Sequence, residues 1–267
     1  MISQRIAVLV LGTTVVIGAG GTAWAQAPET VKAQITVGGG FLPQYEGSKD
    51  QRALPFVSGR IAYDQRYLAL DGLTLRANVF NMPAFEAGPI VAYNFGRGTD
   101  IRNQAVKRLG KIDGAVEAGA FAAYSFRNVV TSGDRIRLSV QGLQDISGTH
   151  EGWQIRPALG YSTAVTSRLS IGVEVSATVV SRDYAKTFFG VSAAGAAASG
   201  LRAFDAKGGV KDVGIGLQAG YALTEKLSLN GFASYRRLVG DAGRSPVVRQ
   251  GGSSNQFMAG FGIGYRF

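Results

Sequence analysis

The sequence predicts an all-β protein: a transmembrane antiparallel β-barrel of 12 strands, with 10 as the alternative count, short periplasmic turns and longer extracellular loops. Three observations predict it. Residues 256–267 place Phe257, Ala259, Phe261, Ile263, Tyr265 and Phe267 on one parity and Gln256, Met258, Gly260, Gly262, Gly264 and Arg266 on the other. A strand sends successive side chains to opposite faces, so this segment has one apolar face and one polar or glycyl face. It ends on an aromatic residue, as the closing strand of an outer-membrane barrel does. The same alternation recurs along the chain in runs of about 9 to 13 residues, the length a tilted strand needs to cross a bilayer. The amino-terminus, finally, reads as an export leader.

Arg5 is the only charge in residues 1–28; an apolar run over 6–17 follows, then small residues ending in Ala23-Trp24-Ala25. That is a charged segment, an apolar segment and an A-x-A cleavage site, so residues 1–25 read as a signal peptide and 26–267 as the barrel domain. A membrane anchor is the competing reading, but the apolar core falls short of the roughly 20 residues a spanning helix needs. The expected location is the outer membrane of a Gram-negative bacterium. With no cysteine, an exported chain must be stable without disulfides. Its 38 glycines far exceed the usual share of about 7%. The net charge is +10, with basic residues interspersed rather than clustered. Export and that dispersion argue against nucleic acid, and the charge suits anionic lipopolysaccharide.

Taken in order, Ala33, Ile35 and Val37 alternate with Gln34, Thr36 and Gly38. Residues 85–95 follow with Glu86 and Asn94 on the polar side, then 116–124. Ile136, Leu138 and Val140 oppose Arg135, Arg137 and Ser139; Trp153, Ile155, Leu159 and Tyr161 oppose Gln154, Arg156 and Gly160. Ile171, Val173 and Val175 oppose Gly172, Glu174 and Ser176, and Val213, Ile215 and Leu217 oppose Asp212, Gly214 and Gln218. Leu227, Leu229, Ala233 and Tyr235 complete the series before the closing strand. A soluble sandwich has shorter strands and seldom holds one apolar parity for so long.

Short turns fall at 64–65, 81–83, 127–133, 166–168 and 223–225; longer connections fall at 42–50, 96–111, 183–208 and 239–254, with a modest one at 146–151. Alternation of short and long works from the C-terminus back to Phe85. Before that it needs a hairpin turn at Asp71-Gly72, which gives 12 strands; without the split the count is 10.

Several stretches also resemble a known family. Gly38-Gly39-Gly40-Phe41-Leu42-Pro43-Gln44-Tyr45-Glu46-Gly47-Ser48 is similar to the first-loop motif of the MipA/OmpV family. So are Ala87-Gly88-Pro89 and Arg108-Leu109-Gly110-Lys111-Ile112-Asp113-Gly114. Toward the carboxy-terminus come Phe188-Phe189-Gly190-Val191-Ser192, Ala198-Ser199-Gly200-Leu201, Tyr235-Arg236-Arg237-Leu238-Val239-Gly240-Asp241-Ala242 and Ser245-Pro246-Val247-Val248. Each is weak alone, but their order is shared. The resemblance implies an outer-membrane barrel without catalytic residues. One family member is a scaffold binding a lytic murein transglycosylase and a bifunctional penicillin-binding protein, and others are outer-membrane antigens or adhesion-related proteins.

Functional chemistry is sparse. His150, the only histidine, lies near Asp145, Ser147 and Glu151; a lone histidine at a loop tip reads as solvated surface rather than part of a triad. No cofactor or metal is expected. The polar parity offers more: Glu86, Asp113, Glu117, Arg135, Arg137, Arg156, Glu174, Asp212, Arg236 and Arg266 are expected to face the lumen. They form either a salt-bridge network filling a narrow barrel or a charged constriction selecting solutes, and the first is favoured. Segment 183–208 carries Phe188, Phe189, Ser199 and Leu201, with an alanine run suited to a short helix; it is expected to be a plug or an interaction site. Phe261, Ile263, Tyr265 and Phe267 are expected to serve the barrel assembly machinery as an outward-facing signal.

Overall fold

The computed structural model describes residues 31–267, and the leader at 1–25 lies outside the described residues. Twelve antiparallel strands close into one barrel. They are β1 (Lys32–Pro43), β2 (Gln51–Tyr63), β3 (Arg66–Asp71), β4 (Thr74–Asn78), β5 (Phe85–Asn94), β6 (Ala115–Arg127), β7 (Arg135–Asp145), β8 (Trp153–Ala164), β9 (Leu169–Val180), β10 (Gly209–Ala222), β11 (Leu227–Leu238) and β12 (Asn255–Arg266). Every strand pairs with its neighbour in sequence, and β1 pairs with β12 from Gln34↔Arg266 to Phe41↔Ala259. Closure leaves no free sheet edge around most of the wall, which a bilayer demands because no water is there to satisfy one.

The alternation sorts side chains as a membrane barrel requires. Val37, Ile61, Leu138, Ile155, Ile215, Leu217, Phe261 and Ile263 point outward and are exposed on the barrel surface. Aromatic residues bound this apolar band: Phe41, Tyr93, Trp153 and Phe257 near the extracellular ends, and Tyr63, Tyr124, Tyr221 and Tyr265 near the periplasmic ends. Their amphipathic rings suit the headgroup level.

Inward glycines are explained by contact. A Cβ at Gly40 would meet the Ala259 carbonyl oxygen at 2.8 Å, and one at Gly260 would meet the Phe232 ring at 2.6 Å. Phe232 can therefore lie flat against the β1–β12 seam, edge-on to Phe56 with ring centres 5.7 Å apart. The lumen is also more apolar than the polar parity suggests. Tyr67, Ile90, Phe121 and Leu143 form one buried cluster, and Leu42, Phe56 and Met258 another.

The hairpin between β3 and β4 is real but one residue later than expected: Asp71 pairs with Thr74, so Gly72-Leu73 form the two-residue turn, with Gly72 at φ +60°. Left-handed backbone is the reason glycine sits there. Both strands are short. On β2 the pairing with β3 stops at Ser58, and on β5 the pairing with β4 stops at Ala92. Residues 51–56 of β2 therefore have no strand on that flank. The Val57 carbonyl accepts from the Gly72 N–H at 3.1 Å, so odd positions of β2 turn their backbone polar groups toward the gap. Pro55 occupies one of them and presents no N–H to satisfy.

Candidate functional site: the lumen and its extracellular lid

The barrel's interior holds charge in compact, matched groups. On the β5–β7 side, the Glu86 carboxylate accepts from Arg135 Nη2 at 2.7 Å, Arg137 Nη2 at 3.0 Å and the Tyr67 hydroxyl at 2.8 Å. The Arg60 guanidinium stacks 3.6 Å over the Tyr67 ring. Arg76 pairs with Asp71 at 2.6 Å beside them. Across the lumen Arg156 reaches Glu174 at 2.7 Å and Ser176 at 2.9 Å. Buried charge is tolerated because each carboxylate meets cationic donors at close range.

A second set lies under the extracellular loops. Glu117 binds His150 Nε2 at 3.0 Å through one oxygen and Gln154 at 2.7 Å through the other. His150 is buried, with ring centres 4.9 Å from Tyr184 and 5.5 Å from Phe188. The solvated loop-tip histidine expected from sequence is thus corrected: two aromatic residues from a distant segment fold over it. Lys211 is buried too. A bulge in β10, where the register against β9 jumps from Val210 to Asp212, turns it inward alongside Asp212. Its ammonium donates to Glu46 at 2.6 Å and to the Tyr184 hydroxyl at 3.1 Å, and Tyr184 donates to Glu46 at 3.0 Å. Asp212 accepts from Thr178 at 3.0 Å.

These contacts fasten a lid made by four loops. Its helices are α1 (Gln104–Lys107), α2 (Arg182–Phe189), α3 (Ala193–Ser199), α4 (Gly240–Arg244) and α5 (Pro246–Arg249). Ser181 and Ser192 cap α2 and α3 by accepting from the N–H groups of Tyr184 and Gly195. Two small hydrophobic cores result. Tyr184, Phe188, Phe189, Leu238 and Val248 build one; Tyr45, Val106, Val191, Leu201 and Val247 build the other. Burying a side chain such as Phe189 contributes about 1.5–3 kcal/mol. Polar ties lock the loops to each other. Ser245 donates to the Phe189 carbonyl at 2.6 Å, and the Tyr45 hydroxyl donates to the Gly251 carbonyl at 3.1 Å. Gln256 joins the first loop to the last through Gly47 N and Ser48 O, each at 3.1 Å.

Burial pushes the Tyr45 hydroxyl up to about 12 and carries that of Tyr184 well above its ordinary range, so both stay protonated donors. Asp241 is held below the usual carboxylate range by the Lys207 backbone N–H at 2.8 Å and by the Arg244 guanidinium.

The residues singled out by sequence fall into distinct places. Glu86, Arg135 and Arg137 come together, as do Arg156 and Glu174; Glu117 and Asp212 lie separately beneath the lid. Arg236 faces the lumen without a carboxylate, its terminal nitrogen 3.7 Å from Met258 Sδ. Asp113 does not belong to the lumen: it sits in the loop before β6, exposed and paired with Lys111, because the strand starts two residues later. Arg266 is exposed at the periplasmic mouth, where it borders a cavity of about 190 Å³. Phe188, Phe189, Ser199 and Leu201 are all buried in the lid. Phe261, Ile263, Tyr265 and Phe267 face outward. Sequence reasoning passed over Arg60, Arg76, Tyr67, Glu46, Tyr184 and Lys211. Parity could have marked Arg60 and Arg76; nothing local marks Lys211.

A family model matches residues 35–267, described as "MltA-interacting protein MipA". The chain belongs to the MipA family. Its family-like motifs do not spread evenly over the barrel: the 44–48, 188–192, 198–201 and 245–248 stretches all meet in the lid. No curated protein matches the chain. Among solved structures, it is similar to the COG4313 outer membrane channel from Pseudomonas putida F1, at 11% identity and TM-score 0.48, covering 95% of this chain and all of that one. An anion-selective porin from Comamonas acidovorans aligns at 9% identity and TM-score 0.40, over 89% of this chain and 99% of the porin. The outer membrane protein OmpT of Vibrio cholerae aligns at 7% and 0.39, over 89% and 97%. For this MipA-family chain, the strand order and the sorted faces establish an outer-membrane barrel on their own.

Proposed function

We propose that this chain is a non-enzymatic outer-membrane scaffold that presents a rigid periplasmic rim to murein-processing enzymes, a lytic murein transglycosylase and a bifunctional penicillin-binding protein. One observation carries the reading: four loops fold inward into a lid with its own hydrophobic cores, above a lumen whose charges are mostly neutralised by partners. A wide solute pore is the opposite design, with a wet lumen and a charged constriction left unpaired. The family description, an MltA-interacting protein, supports the same direction.

A second reading, a small gated channel, is favoured by the cavities of about 170 and 190 Å³ above and below the charged belt. Two measurements separate them. In planar bilayers the purified protein is expected to give no reproducible steps, and cross-linked envelopes are expected to yield both murein enzymes with it. Anion-preferring steps, with neither enzyme recovered, would replace the scaffold by the channel.

A further inference from the structure

The cavity under the lid contains two arginines that form no ion pair among the described residues. Four other charges line it, and each is matched: Lys211 by Glu46, Arg156 by Glu174, and Glu117 by His150 and Gln154. Arg52 and Arg236 are left over. Arg52 lies 4.6 Å from the Phe95 ring centre, and Arg236 Nη2 lies 3.7 Å from the Met258 sulfur. The exposed loop residue Asp100 acts on Arg52 through space without forming an ion pair. The Nε atoms of both are buried with no hydrogen-bond partner among the described residues. That of Arg156 is too, but its terminal nitrogen is satisfied by Glu174 and Ser176, whereas neither Arg52 nor Arg236 has such an acceptor oxygen. A buried guanidinium donor left unpaired costs free energy that a bound anion would recover.

The rest of the lining is mixed: Gln44, Asn94, Gln141 and Gln154 make one side polar, and the other side is apolar. Leu42, Phe95, Leu143 and Met258 form the apolar side, and the cavity volume is about 170 Å³. A cavity of roughly 150 Å³ holds one benzene ring, so this one matches a ring with a single small substituent. Pairing places Arg52 opposite Leu42 on β1, and Gln256 of β12 opposite Arg236 on β11. The two arginines therefore stand three strands apart on one stretch of wall, roughly 14 Å at about 4.8 Å per strand, with long side chains reaching inward. Arg52 also stands beside the gap above the β3–β4 hairpin, where the wall has no strand.

We propose that this cavity is a binding site for a small amphipathic monoanion, a carboxylate on an apolar body of about six or seven carbons, held by Arg52 and Arg236. The site is independent of the scaffold reading. Benzoate is the probe, titrated into the refolded mature chain in detergent by calorimetry, with benzamide as the neutral isostere. Saturable benzoate binding is expected, at least tenfold tighter than benzamide. Arg236→Gln is expected to weaken benzoate at least tenfold while leaving heat-modifiable mobility intact, and Arg52→Gln to do the same. Arg236→Lys, which keeps the charge, is expected to retain part of the affinity and covers the case in which the glutamine variant does not assemble. Absence of saturable benzoate binding, equal affinity for benzamide, or unchanged affinity in both glutamine variants would overturn the proposal.

Discussion

The two ends of this barrel are closed by different physics. At the periplasmic end the strands are joined by turns such as 165–168 and 223–226, and below mid-height the lumen is filled from its own wall by Glu86, Arg135, Arg137, Arg60 and Tyr67. At the extracellular end the wall supplies little of the closure. Loops distant in sequence cross the mouth and build apolar cores on top of it, anchored by Glu46, Lys211 and Tyr184. A charge cluster set in strands is as rigid as the strands. The lid's cores lean on the wall at strand ends, through Val180 and Leu238, so loosening the lid disturbs little of the strand ladder. The difference teaches that rigidity and access have been assigned to opposite ends.

The strongest challenge to that contrast is Glu86→Gln. It would leave Arg135, Arg137 and Arg60 facing one another, and breaking a buried pair in this way costs about 3–5 kcal/mol. The expected result is a clear fall in the temperature at which the folded electrophoretic band is lost. Phe189→Ala tests the other end. Large-to-small changes of this kind cost about 3–5 kcal/mol, and here the loss is expected to fall on the lid: faster proteolysis within 181–208, with the barrel's melting unchanged. Equal shifts in both would show that lid and barrel unfold as one unit.

The smallest effect is expected from acid. The folded Asp241 carboxyl lies below its unfolded value, so its contribution is present above the usual carboxylate pKa of about 3.9 and is lost as pH falls through the lowered folded value. Amide exchange at Lys207, which donates to Asp241, is expected to rise more between pH 6 and pH 3 than exchange at β9 amides, once the intrinsic pH dependence is removed. Equal protection at both pH values would detach this tie from lid closure.

Much of this architecture is legible in sequence, for a definite reason. Alternation reports which face a residue takes, so most strands and the outward apolar band follow from parity, while the choice of 12 strands over 10 needs the short–long alternation of connections and a glycine turn. Partner choice does not, because it depends on register: Arg135 and Glu86 are both inward by parity, but only the stagger of β5, β6 and β7 puts them 2.7 Å apart. Parity also fails where geometry changes. Ile90, Phe121 and Leu143 are inward apolar residues that pack on each other, so a polar-inside rule misses them. Helices of four to eight residues are too short to show helical periodicity, and the lid core draws Tyr45, Val106, Val191 and Val247 from four separate loops. The burial of His150 is a consequence of that assembly, with no trace in its neighbours.

The bulge in β10 has a consequence for how this chain tolerates insertion and deletion. Its long loops absorb changes in length at little cost, whereas one residue removed between Val210 and Asp212 would restore the regular pleat. The residue removed would be Lys211 itself: Val210 would stay outward and Asp212 inward, so the wall would keep its faces while the ties to Glu46 and the Tyr184 hydroxyl were lost. The one extra residue in this strand is what ties the lid to the wall, so the barrel can spare it and the lid cannot.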